Sequence, residues 1–207
     1  RNKALFLAPG ALALNAVASG TAMVTENVYE SRFSFVNELA RLGAAGFTDD
    51  GHPVVSAGLM QRALQYCGAA DRLLALHEED PSLSRDGQMN EGEVSAALGL
   101  AGWPSIAESV MIERDCSIAA YVQRPLHIMH LSARESVTAV RAARARGVAV
   151  TAEVSPHHLC PTDDTVRTLD TNRKMNPPLR AEDDRQALLA LAREVGFDEE
   201  VLVSRLD

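Results

Sequence analysis

The chain has 207 residues, 46% of them apolar, and a formal net charge of -8 at pH 7. The apolar fraction predicts a folded domain with a buried core, and the negative charge disfavours nucleic acid or an anionic membrane surface as the main partner. Three widely spaced cysteines without a C-x-x-C pair favour free thiols and a cytoplasmic location, and no apolar run reaches the roughly 18 residues of a membrane span.

The first predicted element is a buried strand over residues 4–14 that is interrupted at Pro9-Gly10. Its basic start and the later Ala16-Val17-Ala18 also fit a secretory signal, but the Pro-Gly break favours the strand. A polar connection is predicted over residues 15–32, and helical spacing followed by a glycine predicts a helix over residues 33–42.

Beyond this helix, short apolar runs predict strands, and apolar residues three or four positions apart predict helices. The predicted strands cover residues 44–47, 73–76, 126–129 and 148–154. The predicted helices cover residues 59–68, 91–99, 104–121, 135–146 and 183–193, and residues 81–90 are predicted to form a loop.

Strands and helices alternate in this prediction, and polar residues are concentrated directly after the strands. This is the pattern of a parallel α/β protein, and it favours a (β/α)8 barrel, whose sites lie at the carboxyl ends of the strands. A doubly wound sheet is the alternative, but the sequence has no G-x-G-x-x-G or G-K-[ST] phosphate loop. A complete barrel needs about 250 residues, so we expect residues 1–207 to form one incomplete barrel domain of roughly five to six β/α units.

Three polar residues that follow predicted strands form the candidate site, namely Asp50, His77 and His130. Because parallel strands end at the same edge of a sheet, these side chains are expected to lie together. One carboxylate and two imidazoles are a ligand set that suits zinc or a similar divalent ion. Taken singly, each residue has a structural alternative: an Asx-turn or helix cap at Asp49 or Asp50, and a hydrogen-bonded histidine elsewhere.

Two further histidine pairs need separate treatment. Strand alternation places His127 and Met129 on one face and Ile128 and His130 on the other, so only one histidine of this pair is expected to face the site. The adjacent histidines at positions 157 and 158 would also point in opposite directions in a strand, so at most one of them joins a given site.

The segment from Asn176 to Arg180 is stiffened by Pro177 and Pro178. It could hold the Asn176 amide and the Arg180 guanidinium rigidly, and a guanidinium suits a carboxylate, which it binds with two parallel hydrogen bonds. The alternative is a surface turn that contains two prolines.

Taken together, these strings resemble dihydroorotase, and in particular its bacterial class with a bridging Asp, from about residue 35 to about residue 193. The matching strings are Phe47-Thr48-Asp49-Asp50-Gly51, His77-x-Glu79-Asp80, Met89-Asn90-Glu91-Gly92, Ala107-Glu108-Ser109, Arg114-Asp115, His127-x-x-His130-x-Ser132, Thr151-Ala152-Glu153-Val154-Ser155-Pro156-His157-His158-Leu159 and Lys174-Met175-Asn176-Pro177-Pro178-Leu179-Arg180.

The resemblance implies a metal-dependent cyclic amidohydrolase on a (β/α)8 barrel that interconverts N-carbamoyl-L-aspartate and L-dihydroorotate in pyrimidine biosynthesis. It implies that Asp50 bridges two zinc ions, that His77 and His130 bind one of these ions, and that Asn176 contacts the substrate. It gives no ligand role to His157 or His158.

Two strings of the family are absent from these 207 residues. These are the H-x-H metal pair and the Asp-His-Ala-Pro-His string that contains the catalytic Asp. Asp207 follows a strand-like run near the expected place, but we assign it no role and name no catalytic residue. We therefore expect a central portion of the enzyme that binds one zinc ion and whose activity is impaired.

Two other functions stay open at this point. The first is a non-catalytic scaffold of the same fold that binds aspartate carbamoyltransferase. The second is a hydantoinase-like or allantoinase-like ring-opening hydrolase, although such enzymes usually have a modifiable Lys as the bridging ligand where this chain has Asp50. Unpaired strand edges in an incomplete barrel also predict homo-oligomers or poor solubility.

Overall fold

The computed structural model describes residues 35–194. Four parallel strands form one sheet in the order β1-β2-β5-β6, and a second parallel pair joins β3 to β4. The strands are β1 (Gly46–Thr48), β2 (Leu73–Leu76), β3 (Met89–Asn90), β4 (Gly102–Trp103), β5 (Leu126–Ile128) and β6 (Val150–Ala152). The helices are α1 (Phe35–Arg41), α2 (Ala57–Ala69), α3 (Pro81–Ser84), α4 (Glu93–Leu98), α5 (Ile106–Val122), α6 (Arg134–Ala145), α7 (Pro156–Leu159) and α8 (Glu182–Glu194), with 3-10 turns at Asp163–Thr168 and Thr171–Arg173.

The register of the four-stranded sheet aligns the strand ends that carry the candidate site. Thr48 of β1 pairs with Ala75 of β2, and Ala75 pairs in turn with His127 of β5. His127 then pairs with Thr151 of β6. Because all four strands are parallel, the residues that follow β1, β2, β5 and β6 lie along one edge of the sheet.

The hydrophobic core lies between one face of this sheet and helices α2, α5, α6 and α8. Leu74 and Leu76 of β2, and Leu126 and Ile128 of β5, occupy alternate positions and are all buried, as the two-residue period of a strand requires. Each such side chain stabilises the fold by roughly 1.5–3 kcal/mol when it is fully buried.

Helix α2 shows how the sequence specifies an element of this layer. The helix begins after Ser56, whose hydroxyl oxygen accepts a hydrogen bond from Leu59 N (3.3 Å) and so satisfies one free amide of the first turn. Met60, Leu64 and Cys67 follow at spacings of four and three residues and are buried against the sheet.

The predicted parallel α/β fold is confirmed, and the main differences are short elements. Residues 81–90, predicted as loop, contain α3 and β3, and β4 was not predicted. The start of α3 has a local signal, since Asp80 accepts a hydrogen bond from Ser82 N (2.8 Å) and Pro81 occupies the first turn. Strands of two residues are too short to show a period. The last predicted strand is shorter than expected, and the two adjacent histidines lie in α7 instead of a strand.

Several predictions fall outside the described residues. They are the strand over residues 4–14, the connection over residues 15–32, the alternative secretory signal, the start of the predicted helix over residues 33–42, and the position of Asp207. Between residues 35 and 194, no helix is long and apolar enough to cross a membrane.

Candidate metal centre

Asp50, His77 and His130 come together at the carboxyl edge of the four-stranded sheet. His77 Nδ1 lies 3.1 Å from His130 Nε2 and 3.8 Å from Asp50 Oδ1. His130 Nε2 lies 3.4 Å from the same Asp50 oxygen. The three expected residues therefore present one ligand atom each to a common point.

The size of this triangle fits a metal ion. Ligand atoms that bind a tetrahedral zinc at 2.0–2.1 Å are separated by roughly 3.3–3.4 Å, which lies between the shortest and longest sides observed here. In the part of the chain that the structure describes, no other group of three His, Cys, Asp or Glu residues brings its ligand atoms within 4.8 Å of one another. The arrangement can hold a divalent ion, although the ligand roles themselves stay a prediction.

The local backbone conformation orients the side chains of His77 and His130 toward each other. His77 directly follows β2 and its side chain is 1% exposed. His130 lies two residues beyond β5 with a φ of 36°, so the alternation that would group it with Ile128 no longer applies there. His127 remains in the strand, where Nδ1 lies 2.8 Å from Thr151 Oγ1. Of these two histidines, only His130 belongs to the triangle, as expected.

Asp49 and Asp50 are adjacent but have different partners. Asp49 is buried, and its two carboxylate oxygens accept hydrogen bonds from His77 N (2.8 Å) and Val54 N (3.0 Å). Burial raises the pKa of Asp49 to about 6, although these two hydrogen bonds oppose the increase. Asp49 therefore links the end of β1 to the end of β2, while the Asp50 side chain is 30% exposed and faces the histidines.

Glu79 contacts the ring nitrogen of His77 that faces away from the triangle. His77 Nε2 lies 3.0 Å from Glu79 Oε2, and Ser84 Oγ donates a hydrogen bond to Glu79 Oε1. Burial alone would raise the pKa of Glu79, but the bonds from His77 and Ser84 outweigh it, so the pKa lies below its usual value. An ionised carboxylate only accepts hydrogen bonds, so His77 Nε2 is the donor.

A second acidic cluster lies behind the strand ends. Burial, together with the negative charges of Asp115 and Asp49, raises the pKa of Glu78 well above its usual value, which favours the neutral acid. Arg114 donates to both oxygens of Asp115 (2.7 and 2.8 Å) and to the Val54 carbonyl (2.7 Å). This cluster packs the ends of β1 and β2 against α5.

The main chain after His130 is held by Glu108 of α5. Glu108 Oε1 accepts hydrogen bonds from Ser132 N (3.0 Å) and Ala133 N (3.3 Å), and its other oxygen accepts from Ser132 Oγ. Arg180 Nε donates to the same hydroxyl (3.1 Å). Ser132 therefore joins a buried carboxylate to a buried guanidinium.

Arg180, whose guanidinium was expected to suit a carboxylate, instead donates hydrogen bonds to uncharged oxygens inside the fold. Its side chain is 3% exposed, and Nη1 donates to Asn90 Oδ1 (3.0 Å) and the Trp103 carbonyl (2.7 Å). Burial lowers the pKa of Arg180. Asn90 in turn donates to Asp163 Oδ2 (2.8 Å), so these groups connect β3, β4 and the segment before α8.

Asn176 is exposed, and its peptide bond to Pro177 is cis. The Pro177 carbonyl accepts a hydrogen bond from buried His158 Nε2 (3.0 Å), while His158 Nδ1 lies 2.8 Å from Ser155 Oγ. His158 therefore links the end of β6 to the segment that carries Asn176, and His157 is exposed. Neither histidine of α7 joins the triangle. The substrate contact of Asn176 stays a prediction.

Sequence comparison finds similarity to one family. A family model described as "Dihydro-orotase-like" matches residues 11–136. The chain is 49% identical over 151 residues to a dihydroorotase of Desulfotalea psychrophila, covering 73% of this chain and 36% of that protein. It is 42% identical over 178 residues to a dihydroorotase of Trichlorobacter lovleyi, covering 86% of this chain and 41% of that protein. The chain therefore spans about two-fifths of the length of these curated relatives.

Solved structures confirm the predicted fold type. A D-hydantoinase superposes with a TM-score of 0.70 at 21% identity, covering 94% of this chain and 46% of that chain. The L-hydantoinase from Arthrobacter aurescens superposes with a TM-score of 0.69 at 19% identity, covering 84% of this chain and 41% of that chain. The fold is therefore that of part of a (β/α)8 barrel, and the doubly wound alternative is wrong.

Proposed function

Because the chain belongs to the dihydroorotase-like family, we propose that it acts in the hydrolysis of a cyclic amide, as part of a dihydroorotase. The substrate pair we propose is L-dihydroorotate and N-carbamoyl-L-aspartate, in pyrimidine biosynthesis. The observation that carries the proposal is the triangle formed by Asp50, His77 and His130 at the carboxyl edge of the sheet, where barrel enzymes hold their sites.

Asp50, His77 and His130 would hold zinc, of which the intact family site would have two ions. An ion bound there would supply Lewis acidity that polarises a carbonyl group and makes a water molecule more acidic. The side chains of Asp50 and His130 are 30% and 17% exposed, so the centre is accessible to a small molecule from their side.

The other described residues contribute orientation. Asp49 fixes the backbone of His77, and Glu108 fixes the backbone that follows His130. Asn176 would hydrogen-bond the substrate. In the net reaction, water adds to the ring carbonyl carbon, the ring C–N bond breaks, and the released nitrogen takes a proton. We assign the general base to none of residues 35–194.

The test combines zinc binding and turnover of L-dihydroorotate by the 207-residue chain, with Asp50→Ala as the control. We expect zinc to bind the parent chain and to be lost in the control. Turnover that disappears with Asp50→Ala would support a self-sufficient hydrolase, whereas zinc binding without turnover would direct the search to a second chain. Equal zinc binding by both proteins would contradict the proposed centre.

The hydantoinase structures favour one second candidate, a ring-opening hydrolase that acts on hydantoin or allantoin. The dihydroorotase assignment is preferred because the sequence relatives are dihydroorotases at 42–50% identity, whereas the hydantoinases are at 16–21%. A substrate panel of dihydroorotate, hydantoin and allantoin separates the two, since the preferred reading requires dihydroorotate to be hydrolysed fastest.

We further propose a cytoplasmic protein that forms homo-oligomers or binds aspartate carbamoyltransferase. The cytoplasmic location is supported by the three cysteines, none of which forms a disulfide with another described residue. Self-association is supported by large apolar side chains at the surface, such as Tyr121, Leu169 and Val55. Sedimentation of the chain tests this directly, and a monodisperse monomer at high concentration would contradict self-association.

A further inference from the structure

We propose that Glu79 is a positioning residue that prepares His77 to bind the ion through Nδ1. The inference rests on the proposed metal centre, since it assigns a role to a residue outside the ligand triangle. It starts from the 3.0 Å contact between Glu79 Oε2 and His77 Nε2, on the opposite side of the ring from Asp50 and His130.

A neutral imidazole has one nitrogen that donates and one that accepts. Only the nitrogen without a proton can bind a metal, so the proton must reside on Nε2 if Nδ1 is to bind the ion at the triangle. The Glu79 carboxylate accepts a hydrogen bond at Nε2 and therefore selects this tautomer. It also opposes a flip of the ring, which would remove that hydrogen bond.

The rest of His77 is already fixed by other contacts. Its backbone amide donates to Asp49 (2.8 Å), and the residue immediately follows strand β2. Rotation of the ring and the location of its proton are then set by the side-chain contacts, which are His130 at Nδ1 (3.1 Å) and Glu79 at Nε2 (3.0 Å). The contact with Glu79 restricts both, which gives Glu79 a function that Asp49 does not share.

Glu79 is itself held and is not available as a ligand. Its second oxygen accepts a hydrogen bond from Ser84 Oγ at the end of helix α3. Asp80 caps the start of the same helix by accepting from Ser82 N (2.8 Å), so the segment from His77 to Ser84 forms a local support. Both carboxylate oxygens of Glu79 are therefore bound within this segment.

The experiment measures the zinc affinity of the 207-residue chain by competition with a chromophoric chelator, in the variants Glu79→Ala and Glu79→Gln. Outer carboxylates of this kind typically change metal affinity by 10–100-fold. We expect a loss of about that size for Glu79→Ala and a smaller loss for Glu79→Gln, whose amide oxygen can still accept from Nε2. Asp80→Ala is the matched control, because it weakens the cap of α3 without removing a contact to His77.

A second readout needs no metal. NMR correlation spectra of the histidine ring nitrogens report which nitrogen of His77 carries the proton. The parent chain and Asp80→Ala are expected to show the Nε2-protonated form, and Glu79→Ala a mixture of both tautomers. A loss of overall stability would not produce this change.

The outcomes separate the two proposals. If Asp50→Ala binds zinc as well as the parent chain, the metal centre is wrong and the role of Glu79 falls with it. If Asp50→Ala loses zinc but Glu79→Ala binds within about threefold of the parent chain and keeps one tautomer, only the role of Glu79 is overturned.

Discussion

Two adjacent carboxylates at the end of β1 illustrate how surroundings divide roles between identical side chains. Asp49 is buried and accepts hydrogen bonds from two backbone amides, while Asp50 is partly exposed beside His77 and His130. Asp49 is therefore structural, and burial raises its pKa. Asp50 is partly exposed, so its carboxylate can act as a metal ligand.

The first prediction separates these two tasks. Asp49→Ala leaves the amides of His77 and Val54 without acceptors, and we expect the free energy of unfolding to fall by about 1–3 kcal/mol. Asp50→Ala should remove zinc binding and leave the stability of the metal-free chain almost unchanged. Urea denaturation in the presence of a chelator, together with zinc titration, checks both. Equal destabilisation by the two variants would contradict the division.

The buried His158 leads to a prediction on pH. Burial lowers its pKa from 6.5, although its bond to the Pro177 carbonyl opposes the shift. The unfolded chain therefore binds this proton at a higher pH than the folded chain does. It follows that the contribution of His158 to stability is present above about pH 6.5 and is lost as the pH falls toward the folded-state value.

The matched variant is His158→Gln, whose amide can still donate to the Pro177 carbonyl but does not titrate. Urea denaturation at about pH 8 and about pH 5.5 should show a smaller loss of stability in the variant than in the parent chain. Burial raises the pKa of acids such as Asp184, which makes the folded chain more stable as the pH falls. This effect is the same in the parent chain and in His158→Gln, so it cancels when the two are compared. An identical pH dependence in both proteins would refute the assignment.

At the scale of elements, the chain segments after β2 and β5 are held by side chains from elsewhere in the fold. Asp49 holds the residue after β2, and Glu108 of α5 holds the residues after β5. His158 of α7 holds Pro177, the residue after Asn176. The loops of the candidate site therefore depend on contacts between elements as much as on their own sequence.

The third prediction concerns the contact between α5 and the loop after β5. Glu108→Ala removes the acceptor for Ser132 N, Ser132 Oγ and Ala133 N, all buried, and should lower the free energy of unfolding by about 3 kcal/mol. Glu113→Ala is the control, because it makes the same substitution at an exposed position of the same helix. Similar losses for both variants, measured by urea denaturation, would contradict a specific contribution of the buried Glu108 hydrogen bonds, since alanine itself favours the helix.

The same contacts explain what could and could not be predicted from the sequence. Asp50, His77 and His130 were found because each follows a short apolar run, which is a local signal. Glu108 was not assigned its role because its partner Ser132 is 24 residues away, and Arg180 contacts the same serine across 48 residues. No local pattern encodes such pairs, since they arise only when the strands are side by side.

Strand periodicity was informative only where the strands were long enough. Strands β2 and β5 were predicted from their apolar runs, whereas β3 and β4, with two residues each, show no period. The expected grouping of His130 with Ile128 was wrong because the backbone leaves the extended conformation at His130, where φ is 36°. A side chain beyond the end of a strand is therefore not oriented by the strand.

At the scale of the whole molecule, the three candidate ligands follow three neighbouring strands of one sheet, β1, β2 and β5. The ends of these strands are separated by long stretches of sequence, so an ion held by all three would link distant parts of the chain. The unfolded chain lacks this arrangement of ligands. Zinc should therefore bind the folded chain more tightly and stabilise the molecule as a whole.

The fourth prediction follows from this linkage. At a free zinc concentration of 100 times the dissociation constant, a single site on the folded chain adds about 2.7 kcal/mol to the free energy of unfolding. For a chain of this size the melting temperature should then rise by roughly 5–10 °C. Thermal denaturation with and without zinc checks the increase, which a chelator should reverse. A similar increase in the melting temperature of Asp50→Ala would show that zinc acts elsewhere. If zinc raises the melting temperature of the parent chain but not of Asp50→Ala, the ion stabilises the fold through the three strand ends.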